Sequence, residues 1–182
     1  MVNRLISDID IALDAKAYIA ALALMLILPD ICAKVEYGKQ KRNKEFYIKW
    51  FDENYSQFEE QIFIDEEYPL PYLSGEVVYQ LRCMLLHQGT PNIDTTKIKN
   101  PSCKIDHFIL ITESKKESDI YVGCASYQSI CGCEPTDRTY ELNIQQFWKK
   151  LKAIVLAYYK ENKAKFESFQ YSIIDIDEKL EK

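Results

Sequence analysis

Apolar residues recur three or four positions apart in four stretches of the chain, which is the spacing of an amphipathic helix. The first stretch follows Ser7, a helix-capping residue, and ends before Pro29, because the residue preceding a proline avoids helical geometry. The third follows Ser74 and ends at Gly89, which can take the left-handed conformation that closes a helix. We therefore predict four helices, near residues 7–28, 42–54, 75–88 and 145–166.

Between the third and fourth helices the period of the pattern changes from about 3.6 to about 2 residues, which indicates strands. Three such segments occur, at 105–111, 119–127 and 138–144, and turn-forming residues separate them. We predict an antiparallel meander within residues 104–144. The fold class is then mainly α, a single domain over residues 1–182 in which a bundle of about four helices carries a small inserted antiparallel β-sheet.

Composition limits the classes of function. The chain has 182 residues with only 5 glycines and 2 histidines. The glycines fit neither G-x-G-x-x-G nor a P-loop, which excludes these two nucleotide-binding motifs. A net charge of -5 argues against a general nucleic-acid coat. Lysine-rich stretches at 34–49 and 149–165 could still form local basic faces, either simply solvated or in contact with RNA.

Cellular location follows from the cysteines and from one apolar run. A chain of this length with 6 cysteines and no visible signal peptide favours reduced thiols. The run at 17–28 has 12 residues, whereas a membrane-spanning helix needs about 18. Acidic residues precede the run, which does not fit a signal peptide. We expect a cytoplasmic protein that does not enter a membrane.

A zinc site is the weaker of two chemical signals. Cys131 and Cys133 form a C-x-C pair, with Cys103, Cys124 and His107 upstream. Zinc could take four of these side chains as ligands, but the usual C-x2-C spacing is missing. We expect no metal and no cofactor, and keep a zinc-stabilised interaction domain as an alternative.

The stronger signal is an R-x4-H pattern, Arg82 and His87, near the end of the third predicted helix. Arg82 offers a planar fork of donors that suits a phosphate, and His87 can accept and return a proton near neutral pH. The pair suits metal-free cleavage of an RNA backbone through its 2′-hydroxyl. On a regular helix five positions place the side chains about 140° apart. A joint site therefore needs the helix to end near His87, or a second copy of the helix.

The segment LSGEVVYQLRCMLLHQGTPN resembles the HEPN superfamily (higher eukaryotes and prokaryotes nucleotide-binding), whose helical bundles carry an R-x4-6-H motif. The resemblance covers residues 7–90 and 145–166. It implies a metal-independent endoribonuclease of the toxin or defence type, in which Arg82 stabilises the phosphate and His87 is the general acid or base. Active members commonly have a polar residue after the arginine, where this chain has Cys83. The alternative is a non-catalytic HEPN-like module that binds RNA, a nucleotide or a protein.

The resemblance and the 140° divergence together predict a homodimer whose interface includes the 75–88 helix. Both His87 side chains would then lie near a shared cleft. Gln80 and Cys83 lie off the apolar stripe and are candidates for the interface wall. A structural interpretation is equally open, in which Arg82 pairs with an acidic neighbour and His87 interacts with the carbonyl end of its own helix.

Overall fold

The computed structural model describes residues 1–38, 43–59, 72–90, 93–100, 104–112, 123–128 and 136–168. These residues are mostly helical, which confirms a mainly α fold. The α-helices are α1 (Val2–Asp14), α2 (Tyr18–Met25), α3 (Leu28–Tyr37), α4 (Asn43–Asn54), α5 (Gly75–Gln88) and α6 (Ile144–Glu161). The strands are β1 (His107–Ile111), β2 (Gly123–Gln128) and β3 (Thr136–Asn143). Short 3₁₀ turns lie at Ser56–Phe58, Thr95–Lys97 and Lys163–Ser168.

The predicted single helix over residues 7–28 is wrong, because the chain turns after α1. Lys16 has a φ of 58°. The amides of Lys16 and Ala17 donate to the carbonyls of Leu13 and Ala12 at 2.9 and 2.8 Å. This is the Schellman pattern that closes a helix, with a lysine at the left-handed position that glycine usually takes. The sequence therefore carries no glycine signal for this helix end.

Pro29 lies in the first turn of a helix, whereas the sequence prediction ended a helix just before it. α2 ends at Met25, and α3 begins at Leu28 with Pro29 beside it. In the first turn the missing amide of a proline costs no helical hydrogen bond. The prediction consequently missed α3 altogether.

The segment Tyr18–Tyr37, which spans α2 and α3, is long and apolar enough to cross a membrane, with a mean hydropathy of 1.9. The sequence prediction judged this region too short because it stopped counting at the proline. However, 50% of the apolar window is buried inside the fold. The buried core helix of a soluble protein passes the same test of length and composition, and half of this segment contributes to the core described below.

The strand pairing differs from the predicted meander. β3 lies in the centre of the sheet, antiparallel to β2 and parallel to β1, so the order is β1-β3-β2. The antiparallel prediction therefore holds for β2 and β3 and is wrong for β1. Alternating side chains fix which residues face the core but not which strand is the neighbour, and this is why the pattern did not reveal the parallel pair.

The helices pack around a core that is rich in aromatic rings. Its largest fully buried side chains come from α4, α6 and the turn after α4: Trp50, Tyr47, Tyr55, Phe51 and Phe147. Asp10 connects α1 to α6. Its carboxylate accepts hydrogen bonds from Trp148 Nε1 at 2.7 Å and from Lys152 Nζ at 2.6 Å.

α4 and α5 approach each other closely at Gly75. A Cβ atom on Gly75 would overlap the carbonyl oxygen of Ile48. The Gly75 amide donates to Asp52 Oδ1 at 2.6 Å, and Ser74 Oγ accepts from the Val77 amide at 3.3 Å. The predicted start of α5 at Ser74 is confirmed, and so is its predicted end, since Gly89 has a φ of 68°. The contact at Gly75 therefore sets where α5 lies relative to α4.

We expect Gly75→Ala to destabilise the fold by about 2–3 kcal/mol, because the new methyl group meets a backbone atom that cannot rotate away. Gly89→Ala is the control, since its Cβ would meet nothing within 4 Å. Its left-handed φ alone should cost about 1 kcal/mol. Urea denaturation followed by circular dichroism measures both values. Equal losses for the two variants would contradict the steric argument.

Candidate functional site

α5 carries both residues of the R-x4-H pattern on one regular helix. It runs unbroken to Gln88, so it does not end before His87. Side chains five positions apart on such a helix point about 140° away from each other. Within one chain, the helix therefore directs Arg82 and His87 to different sides.

The side chain of Arg82 extends from α5 toward α3. Its Nη2 is 3.6 Å from Asp30 Oδ2, and this same oxygen accepts a hydrogen bond from Lys34 Nζ at 2.8 Å. Arg82 Nε is buried without a hydrogen-bond partner among the described residues. The guanidinium is thus held by one long ion pair, while the carboxylate is held mainly by Lys34.

The other arginine–aspartate pair in the described ranges has a different geometry. Arg138 Nε donates to Asp106 Oδ2 at 2.9 Å, and Nη2 donates to Oδ1 at 3.4 Å. The Arg138 amide adds a bond to Oδ2 at 3.0 Å. Burial opposes ionisation of Asp106, but the bonds and charge of Arg138 outweigh it and lower the pKa of Asp106. Arg138 thus makes two side-chain hydrogen bonds to its carboxylate, whereas Arg82 makes one long ion pair.

The ring of Tyr79 lies beside Arg82, on the side that faces α4. The Arg82 guanidinium lies 6.0 Å from the centre of the Tyr79 ring, and Lys44 Nζ lies 5.8 Å from the same centre. Burial raises the pKa of Tyr79, and its hydrogen bond with Cys83 raises that pKa further. Three cations, Lys34, Lys44 and Arg82, thus surround one aromatic ring and one carboxylate. We call these residues together with Asp30 and Tyr79 the Arg82 cluster.

His87 lies in the last turn of α5 and is exposed. No hydrogen bond or ion pair joins it to another residue in the described part of the chain. Its imidazole is therefore open to solvent and to any molecule that covers the end of α5.

An apolar groove of about 610 Å³ lies beside the end of α5. α2 and the residues just before it supply one wall, and Leu85 and Gly89 at the end of α5 supply the other; the lining residues are Lys16, Ala17, Tyr18, Ile19, Ala20, Ala23, Leu85 and Gly89. At its edge Ile19 is 53% exposed. Exposed aliphatic side chains around a concave apolar surface are typical of an interaction site.

Other predicted features have mixed outcomes. Gln80 is wrong as an interface residue, because it is only 4% exposed and lies inside the fold of one chain. Cys83 remains partly exposed. Cys103, Cys131 and Cys133 lie outside the described residues, as does the side chain of Cys124. Among the side chains that are described, no three potential metal ligands lie together.

The basic face predicted on the last helix is partly neutralised. Lys150, Lys152 and Lys165 pair with Glu59, Asp10 and Glu36, which come from distant parts of the chain. The sequence placed only Glu161 against these lysines. Lys149, Lys160 and Lys163 remain exposed on the surface.

Sequence reasoning did not single out Asp30, the residue that contacts Arg82. Asp30 and Lys34 have the i, i+4 spacing of a helical ion pair, which could have identified them. That signal depends on α3, which the prediction missed.

Comparison of the chain with known protein families, with curated proteins and with solved structures finds no match.

The two arginines should differ in their contribution to stability. Arg82→Met should cost less than about 1 kcal/mol, because Asp30 keeps its bond to Lys34 and a buried unpaired donor is removed. Arg138→Met should cost about 2 kcal/mol, because it leaves Asp106 without two of its donors. Thermal unfolding of both variants at one pH measures the difference. A larger loss for Arg82→Met would show that Arg82 is mainly a structural residue.

Proposed function

We propose that this protein is a HEPN-like, metal-independent endoribonuclease that acts in the cytoplasm as a homodimer, in the manner of a toxin or defence effector. Arg82 binds the phosphate and His87 transfers protons. The observation that carries the proposal is that one helix bears an exposed His87, which has no partner among the described residues, and an incompletely paired Arg82, and that the last turn of this helix borders an apolar groove. A second copy covering this groove supplies what one α5 cannot, an arginine and a histidine directed at one phosphate.

The chemistry needs only the groups that the two helices carry. His87 takes the proton from a ribose 2′-hydroxyl as its oxygen attacks the adjacent phosphorus. The new bond joins O2′ to phosphorus, and the bond from phosphorus to O5′ breaks. The negative charge that builds up on the non-bridging oxygens is stabilised by the guanidinium of Arg82. The leaving O5′ receives a proton from a histidine, which leaves a 2′,3′-cyclic phosphate and a 5′-hydroxyl.

A second candidate function is supported by Cys83 and Asp30. The thiol of Cys83 is a weak hydrogen-bonding group at a position that is commonly polar in active HEPN proteins. Asp30 also offsets part of the charge of Arg82. A HEPN-like module that binds RNA, a nucleotide or a protein without cleaving it has the same α5, and a cleavage assay distinguishes the two.

We expect the wild-type protein to cleave single-stranded RNA in the presence of EDTA, and both Arg82→Ala and His87→Ala to abolish cleavage. A site that takes its arginine from one copy and its histidine from the other should recover activity when the two inactive variants are mixed. Random exchange gives about half heterodimers with one intact site of two, so about a quarter of the wild-type rate should return.

Each inactive variant alone is the control for the mixing experiment. Cleavage by wild type but none by the mixture would show that each site uses one chain only. Intact RNA with wild-type protein across pH 5–8 would favour the non-cleaving module, for which the same variants should still weaken RNA binding.

The groove between α2 and the end of α5 should be the dimer interface. We expect Ile19→Glu to give a folded monomer without ribonuclease activity, because a carboxylate placed in an apolar contact must lose its water. Ile11→Glu on α1 is the matched control, since Ile11 is also an exposed isoleucine on a helix (61% against 53%) and does not line the groove. Light scattering measures the mass of each variant. A wild-type monomer at tens of micromolar, or a dimer that survives Ile19→Glu, would contradict this interface.

A further inference from the structure

In the Arg82 cluster, the guanidinium of Arg82 is only partly paired. Within the described part of the chain, Arg82 Nε is buried without a partner, and the guanidinium has one ion pair, to Asp30, at 3.6 Å. Arg138 shows what the fold can do with the same two residue types, because its two side-chain donors both reach Asp106. Most of the hydrogen-bonding capacity of Arg82 is therefore unused when no ligand is bound.

Asp30 does not need Arg82 in order to keep its position. It lies in the first turn of α3, where the helix dipole favours a negative charge. Lys34, four residues later on the same helix, donates to Asp30 Oδ2 at 2.8 Å. An aspartate that precedes its lysine by four positions has the favourable orientation for such a pair. Arg82 can consequently turn to another anion while Asp30 keeps a partner.

We propose that Asp30 is an internal competitor for the phosphate site of Arg82, and that Lys34 sets the strength of this competition. The carboxylate lies where an oxygen of the RNA backbone must come when Arg82 binds it. Lys34 draws Asp30 Oδ2 toward α3 and prevents the two-bond contact that Arg138 makes with Asp106. Asp30 and Lys34 are thus positioning residues that act through Arg82. The proposal builds on the assignment of Arg82 as the phosphate-binding residue.

The competition predicts opposite effects for two variants. Asp30→Asn has nearly the same shape and removes the competing charge, so it should bind a single-stranded nucleic acid about tenfold more tightly. Lys34→Met removes the restraint on Asp30, which can then form two bonds to Arg82, and binding should weaken by about tenfold. In the double variant Asp30→Asn, Lys34→Met, the loss due to Lys34 should almost disappear.

The double variant separates this mechanism from simple attraction. If Lys34 only attracts phosphate by its charge, Lys34→Met should weaken binding by the same factor with Asp30 or with asparagine at position 30. If Lys34 acts through Asp30, its effect requires the carboxylate. Adding Arg82→Ala to Asp30→Asn should also remove the gain in affinity.

The probe is a labelled single-stranded oligodeoxynucleotide, which carries the phosphates but lacks the 2′-hydroxyl and cannot be cleaved. Fluorescence anisotropy at one fixed salt concentration gives the affinities. Asp106→Asn is the matched control, because it removes the same charge from the other arginine–aspartate pair and should leave binding unchanged. Melting temperatures show that each variant is folded, and Asp30→Ser supplies a second background without the carboxylate if Asp30→Asn does not fold.

Two results would overturn the proposal: an Asp30→Asn protein that binds no better than Asp106→Asn, or a Lys34→Met effect of equal size in both backgrounds. These results are separate from a failure of the nuclease assignment. If the protein leaves RNA intact but Asp30→Asn raises its affinity in a way that depends on Arg82, the competition by Asp30 is supported and the nuclease function is contradicted. If the protein cleaves RNA but Asp30→Asn does not change its affinity, the nuclease function is supported and the competition is contradicted.

Discussion

The close contact between α4 and α5 at Gly75 determines where α5 places Tyr79, Arg82 and His87. The Ile48 carbonyl leaves no room for a side chain there, and Asp52 binds the Gly75 amide from the same side. Burial raises the pKa of Asp52, even though this amide bond favours its charged form. Because α5 is fixed at its first residue, Tyr79 and Arg82 lie one and two turns further along, between α3 and α4. His87, in the last turn of α5, then lies at the surface.

The sequence predicted those parts of the fold whose signals are local. Ser74 and Gly89 bound α5 as expected, because a capping hydroxyl and a left-handed glycine act within one turn of the helix. The break after α1 was missed, because Lys16 takes the left-handed conformation without being glycine. The parallel pairing of β1 with β3 was missed for a different reason, since strand order depends on contacts between residues far apart in the chain.

The candidate site shows the same division between local and long-range information. Arg82 and His87 could be found from their spacing and their residue types, and the 140° between them follows from helix geometry alone. The partner of Arg82 was missed, because Asp30 belongs to α3, and the sequence prediction ended a helix before Pro29 and did not include α3. The acids that pair with the lysines of the last helix lie on other elements, so the charge of that face could not be read from its own residues.

The clasp between Asp106 and Arg138 has a consequence for the order in which the sheet assembles. The two residues are 32 positions apart in sequence, and Asp106 precedes the parallel strand β1. β2 and β3 are closer along the chain and pair antiparallel, so closing their loop costs less entropy. We therefore expect the β2–β3 pair to form more readily than the pair with β1, which the contact between Arg138 and Asp106 holds in place across the longer loop.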